Sequence, residues 1–213
     1  MKIPKSIKIK DTVSLFSKKY KYKIVIVCPV ASWYRGNQLD NVRDRLAKLS
    51  LSHTPAPWIK VKSQEDIDFC HKLYKAISKL TDYDIRVEQP FINFYTNSES
   101  NIETLANVQP EKIKYVSLPN DKNPTLTDNT ILVKRLNFDY KVHIGRTRRE
   151  NSSFISWAEN NTNIRLTKRA KKDLLRSSSW GGSYFYVKGE KTLTMVKLFL
   201  TSEITKVEQV IKA

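Results

Sequence analysis

Glycine is scarce in this chain, five residues in 213, and that scarcity argues against loops that cradle phosphate with successive backbone N–H groups. Neither GxxxxGK[ST] nor GxGxxG occurs. Cysteine is limited to Cys28 and Cys70. Both fall in apolar stretches and read as buried thiols of a reducing compartment, the cytoplasm, or a virion or host cytoplasm for a viral chain. The three histidines, His53, His71 and His143, have no partner at metal-ligand spacing, so no metal and no other cofactor is expected. No apolar run is long enough to span a bilayer, and the first residues, MKIPKSIKIK, lack the apolar core of a signal peptide.

What is present is enough for a packed core: 40% hydrophobic residues, with ten tyrosines, eight phenylalanines and four tryptophans. The net charge is +17, and it is unevenly placed. Residues 1–20 hold +5, residues 21–130 only +2, and residues 131–213 hold +10. Excess concentrated in one arm and one half is the electrostatic footprint of a polyphosphate partner.

The chain also resembles itself. Asn93 to Leu118 aligns without a gap on Tyr184 to Gln209, bringing Phe94 onto Phe185, Tyr95 onto Tyr186, Glu99 onto Glu190 and Val116 onto Val207. Upstream, Tyr22-Lys23-Ile24-Val25-Ile26 matches Tyr140-Lys141-Val142-His143-Ile144 at a larger spacing. Each half reads as strand, helix, one strand or irregular segment, strand, helix, strand. Ser63, Ser98 and Thr167 stand where helix caps are needed. Trp58 to Lys62 alternates as a short strand, and Ser178 to Ser183, with paired glycines, reads as a turn.

These patterns predict an α+β protein of two tandem ferredoxin-like (split βαβ) modules with antiparallel sheets and helices on one face. The expected divisions are a basic arm over 1–19, a first module over 20–119, a linker over 120–130 and a strongly basic second module over 131–213.

Gly182-Ser183-Tyr184-Phe185-Tyr186-Val187 resembles the third strand of RNA-recognition motifs, with alternating aromatics after glycine, then a helix and a final strand. The resemblance implies exposed aromatics that stack on bases. No Lys or Arg precedes the glycines, and the aromatic positions are shifted. Period two places Phe94 and Phe185 in the core and leaves Tyr95, Tyr184 and Tyr186 on the open face.

Phosphate contacts are expected from Arg146, Arg148 and Arg149 after a strand end, and from Arg165, Lys168, Arg169, Lys171, Lys172 and Arg176 along a basic helix. Lys168, Lys172 and Arg176 fall on one helical face, where like charges repel unless an anion neutralises them. The expected function is binding of RNA or single-stranded DNA without catalysis, with the first module free to meet a protein partner or a second copy. The alternatives are a viral or phage structural or assembly protein with a basic face, and a metal-independent nuclease. The latter rests on His143 as general base with the neighbouring arginines holding phosphate.

Overall fold

The computed structural model describes residues 1–51, 59, 61–120, 122, 125–147, 150–176 and 181–212, apart from the side chain of Asn37. The chain divides into two compact units, Met1–Asp121 and Lys122–Ala213. In the first, β1 (Ile9–Asp11) and β2 (Tyr22–Val27) precede α1 (Leu39–Leu46) and α2 (Gln64–Ile77). Then come β3 (Tyr83–Glu88), β4 (Phe91–Thr96), α3 (Glu99–Ala106) and β5 (Ile113–Leu118). In the second, β6 (Thr130–Val133) and β7 (Tyr140–Ile144) lead to α4 (Ser152–Glu159), β8 (Ile164–Leu166) and α5 (Lys168–Leu175). β9 (Ser183–Val187), α6 (Glu190–Phe199) and β10 (Ile204–Lys212) complete it.

Local chemistry sets the helix starts. The side chains of Ser63, Ser98 and Thr167 accept from the backbone N–H groups of Asp66, Asn101 and Ala170, satisfying donors that the first helical turn leaves free. α2 adds Glu65 and Asp66 in its first turn, which suits the positive end of the helix dipole.

Each unit carries one five-stranded sheet, ordered β1-β5-β2-β4-β3 and β6-β10-β7-β9-β8. The order is the same in both. So is the register: Lys23 faces Tyr95 and Ser117, and Lys141 faces Tyr186 and Glu208. A register irregularity interrupts β5 before Tyr115 and β10 before Lys206, at equivalent places. The aligned phenylalanines do the same work, since Phe94 and Phe185 are both fully buried. They pack with the apolar sides of the helices, Leu73 and Ile102 in the first unit and Phe154 and Val196 in the second.

The sheets are mixed, which corrects the expectation of purely antiparallel ones. β1 runs parallel to β5, and β6 runs parallel to β10. Alternating apolar residues report a buried face but not strand direction, and the outer strands are too short to show a period. Ile9–Asp11 comes from the stretch read as a basic arm, and Ile7 beside it is buried. Thr130, at the end of the stretch read as a linker, opens β6. Ile59, Val61 and Lys62 belong to no strand, although alternation predicts one there; Trp58 and Lys60, from the same stretch, lie outside the described residues. The three-residue strand β8 has no signal in the sequence strong enough to mark it.

Phe94→Ala and Phe185→Ala each delete a fully buried ring. Each is expected to cost about 3–5 kcal/mol in urea unfolding. Tyr184→Ala, on an exposed position, is expected to cost a small fraction of that.

Candidate nucleic-acid interface

In a strand, residues two apart share a face, and directly paired residues on neighbouring strands share it too. Opposite the core, the second unit therefore presents two rows. Arg165 on β8, Tyr186 on β9, Lys141 on β7 and Glu208 on β10 form one. Tyr184, His143 and Lys206 form the other. Tyr184 is 36% exposed and Tyr186 half-buried. Their rings meet edge to face, with centroids 5.6 Å apart. The Lys141 ammonium lies 4.2 Å from the Tyr184 centroid, a cation–π contact. Phe138 flanks Tyr186 at 6.2 Å.

Glu208 is the buried centre of this face. His143 Nε2 is 2.7 Å from Oε2, Lys206 Nζ is 2.6 Å from Oε1, and Lys141 Nζ is 3.9 Å from Oε2. Burial pushes the Glu208 carboxyl up, but hydrogen bonds from Lys206 and His143 outweigh it and hold the group below its ordinary range. Burial lowers the basicity of Lys141, with Lys206 adding to the effect against the pull of Glu208. Burial, followed by Tyr184, raises the Tyr186 phenol.

At one end of these rows the backbone turns tightly. Gly182 N–H donates to Ile144 O at 2.8 Å, and Gly145 N–H donates to Glu203 O at 2.7 Å. Gly181 has φ +52°, and a Cβ there would come within 2.6 Å of the Gly145 backbone. Thr147 Oγ1 sits 2.8 Å from Asp173 O and 2.9 Å from Arg176 O, so the exposed Arg146 is carried beside the end of α5. At the other end of α5, Thr167 Oγ1 donates to Tyr184 O at 2.6 Å.

The sequence-predicted residues divide accordingly. Tyr184, Tyr186 and Arg165 share the open face, and Arg146 and Arg176 stand at the corner beside it. Arg148 and Arg149 lie outside the described residues, as do His53 and the first part of the expected turn, Ser178 to Trp180. On α5, Lys168, Arg169 and Lys172 are exposed, while Arg169 pairs with Asp173 at 3.8 Å and Lys171 pairs with Glu159. Arg176 is not on the helical face assigned to it, because its φ of −135° and ψ of 148° are extended.

Tyr95 requires a correction. It lies opposite Phe94 as predicted, but it is only 7% exposed. Phe16, from the connector between β1 and β2, packs at 5.5 Å, and Lys23 lies 5.5 Å from the same ring. A ring so covered is not available for stacking. Sequence reasoning also misses Lys141, Lys206 and Glu208, whose only signal is alternation with core residues along β7 and β10. Among the described residues, no group of His, Cys, Asp and Glu is placed to hold a metal ion, and no helix is long and apolar enough to cross a membrane.

Because the Glu208 carboxyl is held below its ordinary value of 4.5, it contributes stability above that value and loses it as pH falls through the lowered one. Glu208→Gln is expected to melt below the wild type at neutral pH, with the gap closing in acid. A gap that persists unchanged in acid contradicts the ion-pair account.

Comparison with known proteins adds no assignment to this geometry: no family model matches the chain, and no curated protein or solved structure is significantly similar to it.

Proposed function

We propose that the chain binds single-stranded nucleic acid, RNA or single-stranded DNA, on the open face of its second unit. The observation that carries this reading is the grouping of Tyr184 and Tyr186 with Lys141, Lys206 and Arg165 on the sheet face opposite the core. Aromatic rings offer every base a stacking surface, and the surrounding cations draw the backbone whatever its sequence. Single strands are favoured over duplexes because a stacked base must be unpaired from its neighbours to lie on a ring. Arg146, Arg176, Lys168 and Lys172 extend the cationic surface along the corner and α5.

We read each unit as a ferredoxin-like core, β5-β2-β4-β3 and β10-β7-β9-β8, to which an outer parallel strand has been added. The matching registers and the shared irregularity support duplication of one such unit. The first copy then serves as scaffold, since its equivalent face is covered by Phe16.

Fluorescence anisotropy with labelled single-stranded RNA, single-stranded DNA and duplex tests the reading. Single strands are expected to bind best. Tyr184→Ala and Tyr186→Ala should each lose about 1–3 kcal/mol, while Tyr184→Phe keeps the affinity. Lys168→Gln and Lys172→Gln should weaken all sequences alike, with the salt slope falling by about 0.7 for each phosphate that is no longer neutralised. Equal affinity for heparin and for single strands, indifferent to the tyrosines, would favour a general polyanion or assembly role instead.

A further inference from the structure

The network around Glu208 is not something the fold requires. The first unit builds a sheet of the same order and register, and it holds Val25 where the second has His143 and Ser117 where it has Glu208. Tyr115 stands at the position of Lys206, and Asn93 at that of Tyr184. Only the lysine is kept, Lys23 for Lys141. Burying a carboxylate among cations costs desolvation of every partner. The second unit bears that cost on its exposed face and the first does not.

The geometry gives His143 a defined protonation pattern. An ionised Glu208 can only accept, so the neutral imidazole carries its proton on Nε2, toward the carboxylate. Its Nδ1 is then a lone-pair acceptor. Tyr184, with its ring centroid 6.0 Å from that of His143, offers a stacking place for a base whose ribose reaches the imidazole.

We propose that this face cleaves the RNA it binds by transesterification, with His143 as general base toward a ribose 2′-hydroxyl. The inference rests on the binding reading above and adds an activity to it. His143 Nδ1 takes the 2′-hydroxyl proton as the 2′-oxygen attacks the adjacent phosphorus. The bond from phosphorus to the 5′-oxygen of the next nucleotide breaks, and that oxygen takes a proton from the Lys141 ammonium. The products are a 2′,3′-cyclic phosphate and a free 5′-hydroxyl. Exchange with water returns both side chains to their starting states, and no oxidant or reductant is needed.

Each group suits its part. Glu208 is a positioning residue that fixes the imidazole tautomer and stabilises the imidazolium once it forms. Burial eases proton loss from Lys141, which favours donation to a leaving oxygen. Lys206 on β10, and Arg165 on β8 beside Tyr186, supply positive charge where the phosphorane forms. The groups facing His143 are Glu208 and Lys206 from β10, Tyr184 from β9 and Lys141 on its own strand.

The test uses the full chain with a randomised single-stranded RNA pool in the presence of a chelator, and a 2′-deoxy pool as control. Binding is measured in parallel by anisotropy. Wild type is expected to cut RNA but not DNA and to leave 2′,3′-cyclic phosphate ends. His143→Val, which installs the residue of the first unit, is expected to fold and bind while losing about 10²- to 10⁴-fold in rate. His143→Asn, which keeps a polar contact to Glu208, should behave alike. Glu208→Gln should lower the rate at saturating RNA and change its pH profile, whereas a merely structural role would move binding and rate together. RNA that is bound but left intact overturns the activity and leaves the binding reading standing, as does cleavage that survives in both His143 variants. Absence of binding sinks both.

Discussion

A strand with one face buried cannot slip by one residue, because every side chain would exchange core for solvent. That constraint governs both sheets. Phe94 and Phe185 are each sealed in a core. Their burial forces Tyr95 and Tyr186 to the other side, and it forces Lys23 and Lys141 to stand opposite those tyrosines. Cross-strand pairing then carries the face from β9 through β7 to β10. The tyrosines, the lysines and the buried carboxylate of the second unit meet only in this register.

Two sheets of one order nevertheless present different faces, and the connectors account for much of the difference. Residues 12–21 join β1 to β2, and this longer loop folds back so that Phe16 pairs with Tyr20 and packs on Tyr95. Lys10 and Lys23 close over Tyr115, at 3.9 and 5.6 Å from its centroid. Residues 134–139 join β6 to β7 by a shorter path, and Phe138 from it reaches the edge of Tyr186. Tyr184 therefore stays open. The same alternation yields a covered aromatic face in one unit and, in the other, a charged one with Tyr184 exposed.

How far the sequence can be read follows from the range of the interactions involved. The caps at Ser63, Ser98 and Thr167 and the tight backbone at Gly181 and Gly182 are local, and they are legible. So is the burial of Phe94 and Phe185, which needs only period two. Strand direction, the outer strands and the cover over Tyr95 come from residues far apart in the chain, and no window of sequence contains both partners. The hydrogen bond of His143 with Glu208 joins positions 65 apart. In the sequence, His143 is visible as a candidate base, but the carboxylate that orients it is not. Arg176 fails for another reason: the helix ends at Leu175, so helical spacing no longer governs it.

The basic helix also departs from what helix stability alone asks for. The positive end of a helix dipole favours carboxylates, as α2 provides with Glu65 and Asp66. α5 instead opens on Lys168 and Arg169, with no acid in its first turn. Thr167 offsets part of that cost by capping Ala170 N–H, and its hydroxyl also donates to Tyr184 O. Asp173 and Glu159 neutralise Arg169 and Lys171, yet Lys168 and Lys172 remain exposed one turn apart. Lys168 thus stands at the end of the helix where the dipole disfavours a cation, beside the hydrogen bond that moors α5 to the strand bearing Tyr184, a placement that helix stability does not ask for and that the proposed polyanion contact would use.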